Sequence, residues 1–149
     1  MSLEHDIEGK LKEIFKDSIL ETTIPREHRL WVKVPVSKFR DIIRYLKDNF
    51  GFTHITTITA IDAGEEIEII YHLFSQGVTL NLKTAIPMAT AEIETITDIL
   101  PGATLYEREA QDLMGVKFKN HPDPRRLVLP DDWPEGVYPL RKSYSTKEG

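Results

Sequence analysis

Apolar residues recur at helical spacing in two segments of the first third of the chain. Over residues 4–18 the apolar positions predict one amphipathic helix: Ile7, Leu11, Ile14 and Phe15. Over residues 37–50 a second stripe predicts another helix: Phe39, Ile42, Ile43, Leu46 and Phe50. Ser37 is the predicted N-cap of this second helix, and Gly51 is its predicted stop.

Apolar and polar residues alternate in the segments that separate and follow these helices, which is typical of strands. The predicted strands cover residues 19–24, 30–34, 53–61, 66–74 and 78–84. Residues 91–100 predict a short third helix, which Pro101 and Gly102 end. The order is therefore helix, two strands, helix, three strands, helix. It predicts an α+β fold with one mixed or mostly antiparallel sheet of about five strands and helices on one face.

The next segment predicts a charged helix. Thr104 and Glu107 have the spacing of a capping box, and Gly115 suits the end of the helix. The apolar positions predict the buried stripe: Tyr106, Ala110, Leu113 and Met114. Four charged residues are expected to project to the sides: Glu107, Arg108, Glu109 and Asp112. Arg108 and Asp112 are four apart, a spacing at which they can pair along the helix.

Beyond Gly115 the chain becomes rich in proline, with five of its nine prolines between residues 122 and 139. Proline removes a backbone donor and favours extended geometry. We therefore predict a compact domain over residues 1–115 and an extended C-terminal arm of the same domain over residues 116–149, called the arm below. The arm carries many apolar side chains, Tyr144 among them, which need a surface on this chain or on a partner.

Composition excludes several kinds of site. The net charge of −5 argues against a nucleic-acid-binding surface, which is usually basic. Cysteine is absent, so this chain offers no disulfide, no cysteine-ligated cluster and no cysteine nucleophile. Neither nucleotide-binding glycine fingerprint is present. No apolar run approaches the roughly 18 residues of a membrane span, and no secretory signal is visible, so we expect a cytoplasmic protein.

Chemistry at individual polar residues stays open at this point. Glu109, Asp112 and His121 can be combined into an acid, a base and an orienting group, which would make the chain a stand-alone enzyme. His121 has no second histidine at ligand spacing, which favours a structural role over a zinc site. Arg125 and Arg126 suit phosphate, but the acidic residues nearby favour an ion-pair network within the chain or at an interface.

The charged helix and the arm resemble a known family. The residues that carry the resemblance run in order: Pro101-Gly102-Ala103, Glu107-Arg108-Glu109, Asp112-Leu113-Met114-Gly115-Val116, Phe118, His121-Pro122-Asp123, Arg125-Arg126-Leu127 and Pro139-Leu140-Arg141-Lys142. This order is similar to the thirty-kilodalton subunit family of respiratory complex I. That is the family of the C subunit of NADH:quinone oxidoreductase, shared with membrane-bound energy-converting nickel–iron hydrogenases. The segment from Trp133 to Tyr138 is similar to the hydrogenase branch.

The resemblance implies a scaffold without a cofactor, a metal or catalytic residues. It implies docking on the large catalytic subunit of a quinone oxidoreductase or hydrogenase complex, at the cytoplasmic face of the membrane and without insertion into it. No nucleic-acid partner is implied. The charged residues of the helix and the arm are the expected partner interface: Glu107, Arg108, Glu109, Asp112, His121, Asp123, Arg125, Arg126, Arg141 and Lys142.

Overall fold

The computed structural model describes residues 2–143, so Tyr144 and the end of the predicted arm lie outside the described residues. The helices within this range are α1 (Leu3–Phe15), α2 (Phe39–Phe50) and α3 (Thr104–Met114). The strands are β1 (Glu21–Arg26), β2 (Arg29–Lys33), β3 (His54–Asp62), β4 (Glu66–Ser75), β5 (Val78–Pro87), β6 (Glu92–Glu94) and β7 (Lys117–Lys119).

Five strands form one mixed sheet in the order β1-β2-β5-β4-β3. Strands β1 and β2 pair antiparallel as a hairpin, whereas β2 and β5 pair parallel. Parallel pairing needs a long crossover connection, which α2, β3 and β4 supply here. The predicted α+β fold around a mixed sheet of five strands is therefore confirmed. The described residues fall into two compact units, one of residues 2–57 and 70–84 and the other of residues 58–69 and 85–143.

The first unit has an apolar core. Helix α2 buries four of the five apolar residues of its predicted stripe, Phe39, Ile42, Ile43 and Leu46, and Phe50 at its end is half-buried. The Phe39 ring stacks on the ring of Tyr71 from β4, with 5.5 Å between their centroids. Gly51 ends α2 in the left-handed conformation, at φ +71°, as predicted. The predicted cap at Ser37 is wrong, because the N-cap residue is Lys38 and no side chain caps the helix.

The second unit is built on α3 and a short parallel pair of strands, β6 and β7. The helix predicted over residues 91–100 is wrong. Ala91 has φ +50°, and Glu92–Glu94 form β6, with Ile93 paired to Phe118. The segment is rich in β-branched residues, which are poor helix formers. The division of the chain at residue 115 into a domain and its arm stays a prediction.

Candidate functional site

Helix α3 buries two carboxylates, Glu107 and Asp112. This corrects the prediction that both project to the sides. Glu107 is fully buried, and it accepts hydrogen bonds from the Thr95 hydroxyl at 2.5 Å and from the Ile96 backbone N–H at 2.9 Å. The predicted capping box is also wrong, because the Thr104 hydroxyl donates to the Pro101 carbonyl. Glu107 therefore joins α3 to the segment that precedes it in the chain.

His121 lies beside this carboxylate with its side chain 2% exposed. Its Nδ1 accepts the backbone N–H of Asp123 at 2.9 Å, which assigns the ring proton of a neutral imidazole to Nε2. Nε2 is 3.0 Å from the Thr104 carbonyl oxygen, to which it donates, and 3.7 Å from Glu107 Oε1. His121 thus braces the start of the arm against the first turn of α3.

Asp112 holds the middle of the described arm. Its Oδ2 accepts the backbone N–H groups of three consecutive residues, Leu127 at 2.8 Å, Val128 at 2.7 Å and Leu129 at 3.2 Å. Asp112 is only 3% exposed. Hydrogen bonds to a charged acceptor are stronger than neutral ones. One buried carboxylate therefore fixes a turn of the arm through backbone atoms alone.

Arg108 also binds the arm through its backbone. Its Nε donates to the Arg125 carbonyl at 2.8 Å, and its Nη2 donates to the Arg126 carbonyl at 2.9 Å. Its Nη1 lies 3.5 Å from Asp123 Oδ2. The Arg108–Asp112 pair that the spacing allows along the helix is therefore not formed, since both side chains reach the arm instead.

The C-terminal end of α3 receives the last part of the described arm. The Leu140 N–H donates to the Leu113 carbonyl at 2.8 Å, and Arg141 Nε donates to the Met114 carbonyl at 2.7 Å. These bonds satisfy carbonyls that a helix end leaves free, and the arginine charge suits the negative end of the helix dipole. The Arg141 guanidinium lies 4.7 Å from the centre of the Tyr138 ring.

Gly115 makes this close approach feasible. It has φ +82°, and a Cβ atom at this position would lie 2.5 Å from the Tyr138 ring and 2.7 Å from Arg141. A side chain would therefore meet the Tyr138 ring and Arg141, which caps α3. The prediction that Gly115 ends the helix is confirmed, and the structure adds a second reason for a glycine there.

Asp62, at the end of β3, was missed as a site residue by sequence reasoning. Its Oδ2 accepts the Lys142 backbone N–H at 2.7 Å, and its Oδ1 accepts the Gly64 N–H at 2.9 Å. These backbone hydrogen bonds, that of Lys142 first, hold the pKa of Asp62 below its usual range. The Asp-x-Gly pattern signals the bond to Gly64 as a local turn. Nothing local signals Lys142, which is 80 residues away.

The two remaining arginines lie along the arm. Arg125 forms a bidentate pair with Asp123, at 2.7 Å and 2.8 Å, and its side chain stays 80% exposed. The hydrogen bond from Arg125 holds the pKa of Asp123 far below its usual range. Arg126 Nη1 donates to the backbone carbonyls of Pro130 at 2.8 Å and Asp131 at 3.2 Å. Both arginines thus shape the arm locally.

The polar contacts between α3 and residues 125–129 are made to backbone atoms of the arm. Val116 and Phe118 are buried within the second unit. Leu127, Val128 and Leu140 are exposed, at 42%, 50% and 55%. These three exposed apolar side chains of the arm are together called the arm surface below.

Comparison with known families shows to which protein family the chain belongs. Residues 32–149 match the family described as respiratory-chain NADH dehydrogenase, 30 Kd subunit. The chain belongs to this family. The resemblance found in the sequence is therefore confirmed.

Three relatives illustrate the range of this 30 Kd subunit family. The C subunit of the NADH-quinone oxidoreductase of Geobacter sulfurreducens is 41% identical over 91% of this chain and 85% of its own length. The C subunit of the F(420)H(2) dehydrogenase of Methanosarcina mazei is 37% identical over 87% of this chain and 84% of its own length. The beta subunit of the membrane-bound hydrogenase of Pyrococcus furiosus is 29% identical over 95% and 86%.

A chain in the structure of the membrane-bound sulfane sulfur reductase, described as an archaeal respiratory membrane complex, has the same fold. The TM-score is 0.85 at 34% identity, and the match covers 95% of this chain and 85% of that chain. The family and this structure together establish the fold. No helix within residues 2–143 is long and apolar enough to cross a membrane.

The three groups of the stand-alone enzyme hypothesis lie in different surroundings. Asp112 is bonded to the turn at Leu127, and His121 is bonded to Asp123 and Thr104. Glu109 lines a shallow groove with Leu113 and Leu140. Within residues 2–143, no three histidine or carboxylate side chains are grouped so that they could hold a metal ion. The arrangement positions a segment of chain, and it gives the enzyme hypothesis no support.

Proposed function

We propose that this chain is a scaffold subunit of a membrane-associated redox complex and has no catalytic role of its own. In this proposal it docks on the large catalytic subunit, of the quinone-reducing or the hydrogenase type, at the cytoplasmic face of the membrane. The chain itself holds no cofactor. Its membership of the 30 Kd subunit family and the names of its relatives support the proposal.

The observation that carries the proposal is the way α3 holds the arm. The side chains of Arg108 and Asp112 form hydrogen bonds with backbone atoms of residues 125–129. The backbone of this segment is therefore fixed, while the side chains of Leu127 and Val128 stay exposed. Fixing a segment before binding reduces the entropy that binding must overcome. An exposed apolar surface on a pre-formed segment is typical of a protein interface.

Charges of both signs flank the arm surface. Arg125 is highly exposed beside Leu127, and Glu109 lies in the groove with Leu140. Glu109 makes no ion pair or hydrogen bond within the described residues. A partner with apolar residues and matching charges would bury Leu127, Val128 and Leu140. The charges would then favour the correct register and speed association more than they add affinity.

The test is co-purification of the large subunit with variants of the arm surface. We expect the Val128→Asp and Leu140→Asp double substitution to lower the yield of assembled complex at least tenfold, because two carboxylates would enter an apolar contact. The matched control is Leu20→Asp, since Leu20 is 51% exposed and lies outside the arm. Normal assembly of the double variant, with an unchanged melting temperature, would refute docking through the arm.

A further inference from the structure

A half-open cavity of about 330 Å³ lies in the second unit, between the C-terminal half of α3 and the arm. Its wall includes two aromatic side chains, Trp133 and Tyr138, and the aliphatic side chain of Leu129. Asp112, Lys117 and Arg126 also line it. The Trp133 indole N–H is occupied by the Val137 carbonyl at 2.8 Å, which fixes the ring as part of the wall.

Asp112 lines this cavity, and only one of its two carboxylate oxygens binds the backbone of the arm. All three backbone N–H groups that it accepts bind the same oxygen, Oδ2. Its other oxygen, Oδ1, has no hydrogen-bond partner within residues 2–143. Oδ1 is not among the buried side-chain atoms without a partner in this part of the chain, so it is open to solvent and can accept a hydrogen bond from an incoming group. The cavity therefore favours a group that carries an N–H or O–H.

The volume of the cavity and the charges of its lining limit which kind of group can occupy it. At about 330 Å³ the cavity is at the small end of ligand pockets, which span roughly 300–1,000 Å³, and it suits one side chain better than a dinucleotide. Asp112 and Glu135 are balanced in the lining by Lys117 and Arg126, so neither a cation nor an anion is preferred. The occupant indicated is a neutral aromatic group with one hydrogen-bond donor.

We propose that this cavity receives a tyrosine or tryptophan side chain of the large subunit, whose O–H or N–H donates to Asp112 Oδ1. The aromatic walls would contact the ring face or edge, as aromatic pairs prefer. Tyrosine and tryptophan are the residues that most often dominate binding energy when they fill such pockets. This proposal rests on the proposed function and deepens it, because it gives the arm a specific anchor for its partner.

The first test uses small molecules that mimic the two side chains. The full chain is titrated with p-cresol and 3-methylindole while the backbone amides of Gly115, Leu129 and Gly136 are followed by NMR. The matched control ligand is p-methylanisole, which keeps the ring of p-cresol but has no donor. We expect p-cresol to bind about tenfold more tightly, because its hydroxyl can donate a hydrogen bond to the carboxylate and p-methylanisole cannot. Equal affinities, or no shift of these amides with either mimic, would overturn the proposal.

Asp112→Asn sharpens this test. An asparagine can keep one oxygen for the three backbone N–H groups and place its NH₂ group, a donor, where Oδ1 now lies. We expect the variant to keep the arm in place, reported by the amide protection of Val128, and to lose the preference for p-cresol. A preference that persists in Asp112→Asn would show that the donor binds elsewhere, which contradicts the proposal.

The second test is made in the assembled complex and separates this proposal from the proposed function. Leu129→Trp fills the cavity while keeping the backbone bond to Asp112, and Leu20→Trp is the control. We expect Leu129→Trp to lower the yield of complex with the large subunit. If the arm-surface double variant fails to assemble but Leu129→Trp assembles normally, docking stands and the cavity proposal falls. If both assemble normally, both proposals fall.

Discussion

Helices α2 and α3 have nearly the same length but are held in opposite ways. Helix α2 buries only apolar residues, among them Ile42, Ile43 and Leu46. Helix α3 buries Glu107 and Asp112 beside Ala110 and Met114. The first helix is stabilised by removal of apolar surface from water, which has no direction. The second depends on hydrogen bonds, which require each partner at a set position. One helix builds a core, and the other places a segment of chain.

This contrast between the two helices predicts that a substitution in the core of the first unit lowers stability the most. Ile43→Ala should lower the free energy of unfolding by about 2–5 kcal/mol, because Ile43 is fully buried and its loss leaves a cavity. Chemical denaturation followed by circular dichroism measures this change. Ile14→Ala is the control, since Ile14 is 47% exposed and its loss should cost about 0.5 kcal/mol or less. Similar costs for the two would contradict the contrast.

On α3, loss of the Asp112 carboxylate should weaken the structure only near the turn of the arm that it holds. Asp112→Ala should lower the opening free energy of the Leu127 and Val128 amides by roughly 1.5–3 kcal/mol, because both lose a charged acceptor. Hydrogen exchange resolved by residue measures this. Glu109→Ala is the matched control on the same helix and should leave both amides unchanged. Equal exchange in the two variants would mean that Asp112 does not hold the arm.

At the end of α3, Gly115→Ala should release Tyr138 and Arg141. Exchange of the Leu140 amide, which donates to the Leu113 carbonyl, reports this release. A non-glycine residue in the left-handed region costs on the order of 1–2 kcal/mol, and the contact with Tyr138 adds to that. Gly136→Ala separates the two causes, since Gly136 has φ +79° but an added Cβ there has no atom within 4 Å. The Leu140 amide should exchange normally in that control.

The smallest expected effect is acid release of the arm at Lys142. The pKa of Asp62 is lowered by hydrogen bonds to its charged form, that of the Lys142 N–H first. Its contribution to stability is therefore complete above the unfolded pKa of about 3.9 and is lost as the pH falls through the lower folded pKa. The Lys142 amide resonance should move over this range, and Asp62→Asn should remove the change. A resonance that follows pH equally in both proteins would refute the link.

Features that depend on residues close together in the sequence could be predicted, whereas features that depend on residues far apart could not. The α2 stripe and its stop at Gly51 are local patterns, and both were predicted correctly. The helix predicted over residues 91–100 is wrong because β-branched residues there disfavour a helix and Ile93 pairs with Phe118, which lies far along the chain. The same cause hid Asp62, whose partner Lys142 lies far along the chain.

For the candidate site, the sequence by itself determined which residues were unusual and to which family they belong. Dense charges of both signs in Glu107, Arg108 and Asp112 were visible without a structure. Only the tertiary structure decided that two of these charges are buried, and that the arm is held by its backbone. The physical reason is that a hydrogen bond depends on where its partner lies in space. An apolar residue needs only to leave water, so its periodicity along the chain is enough to place it.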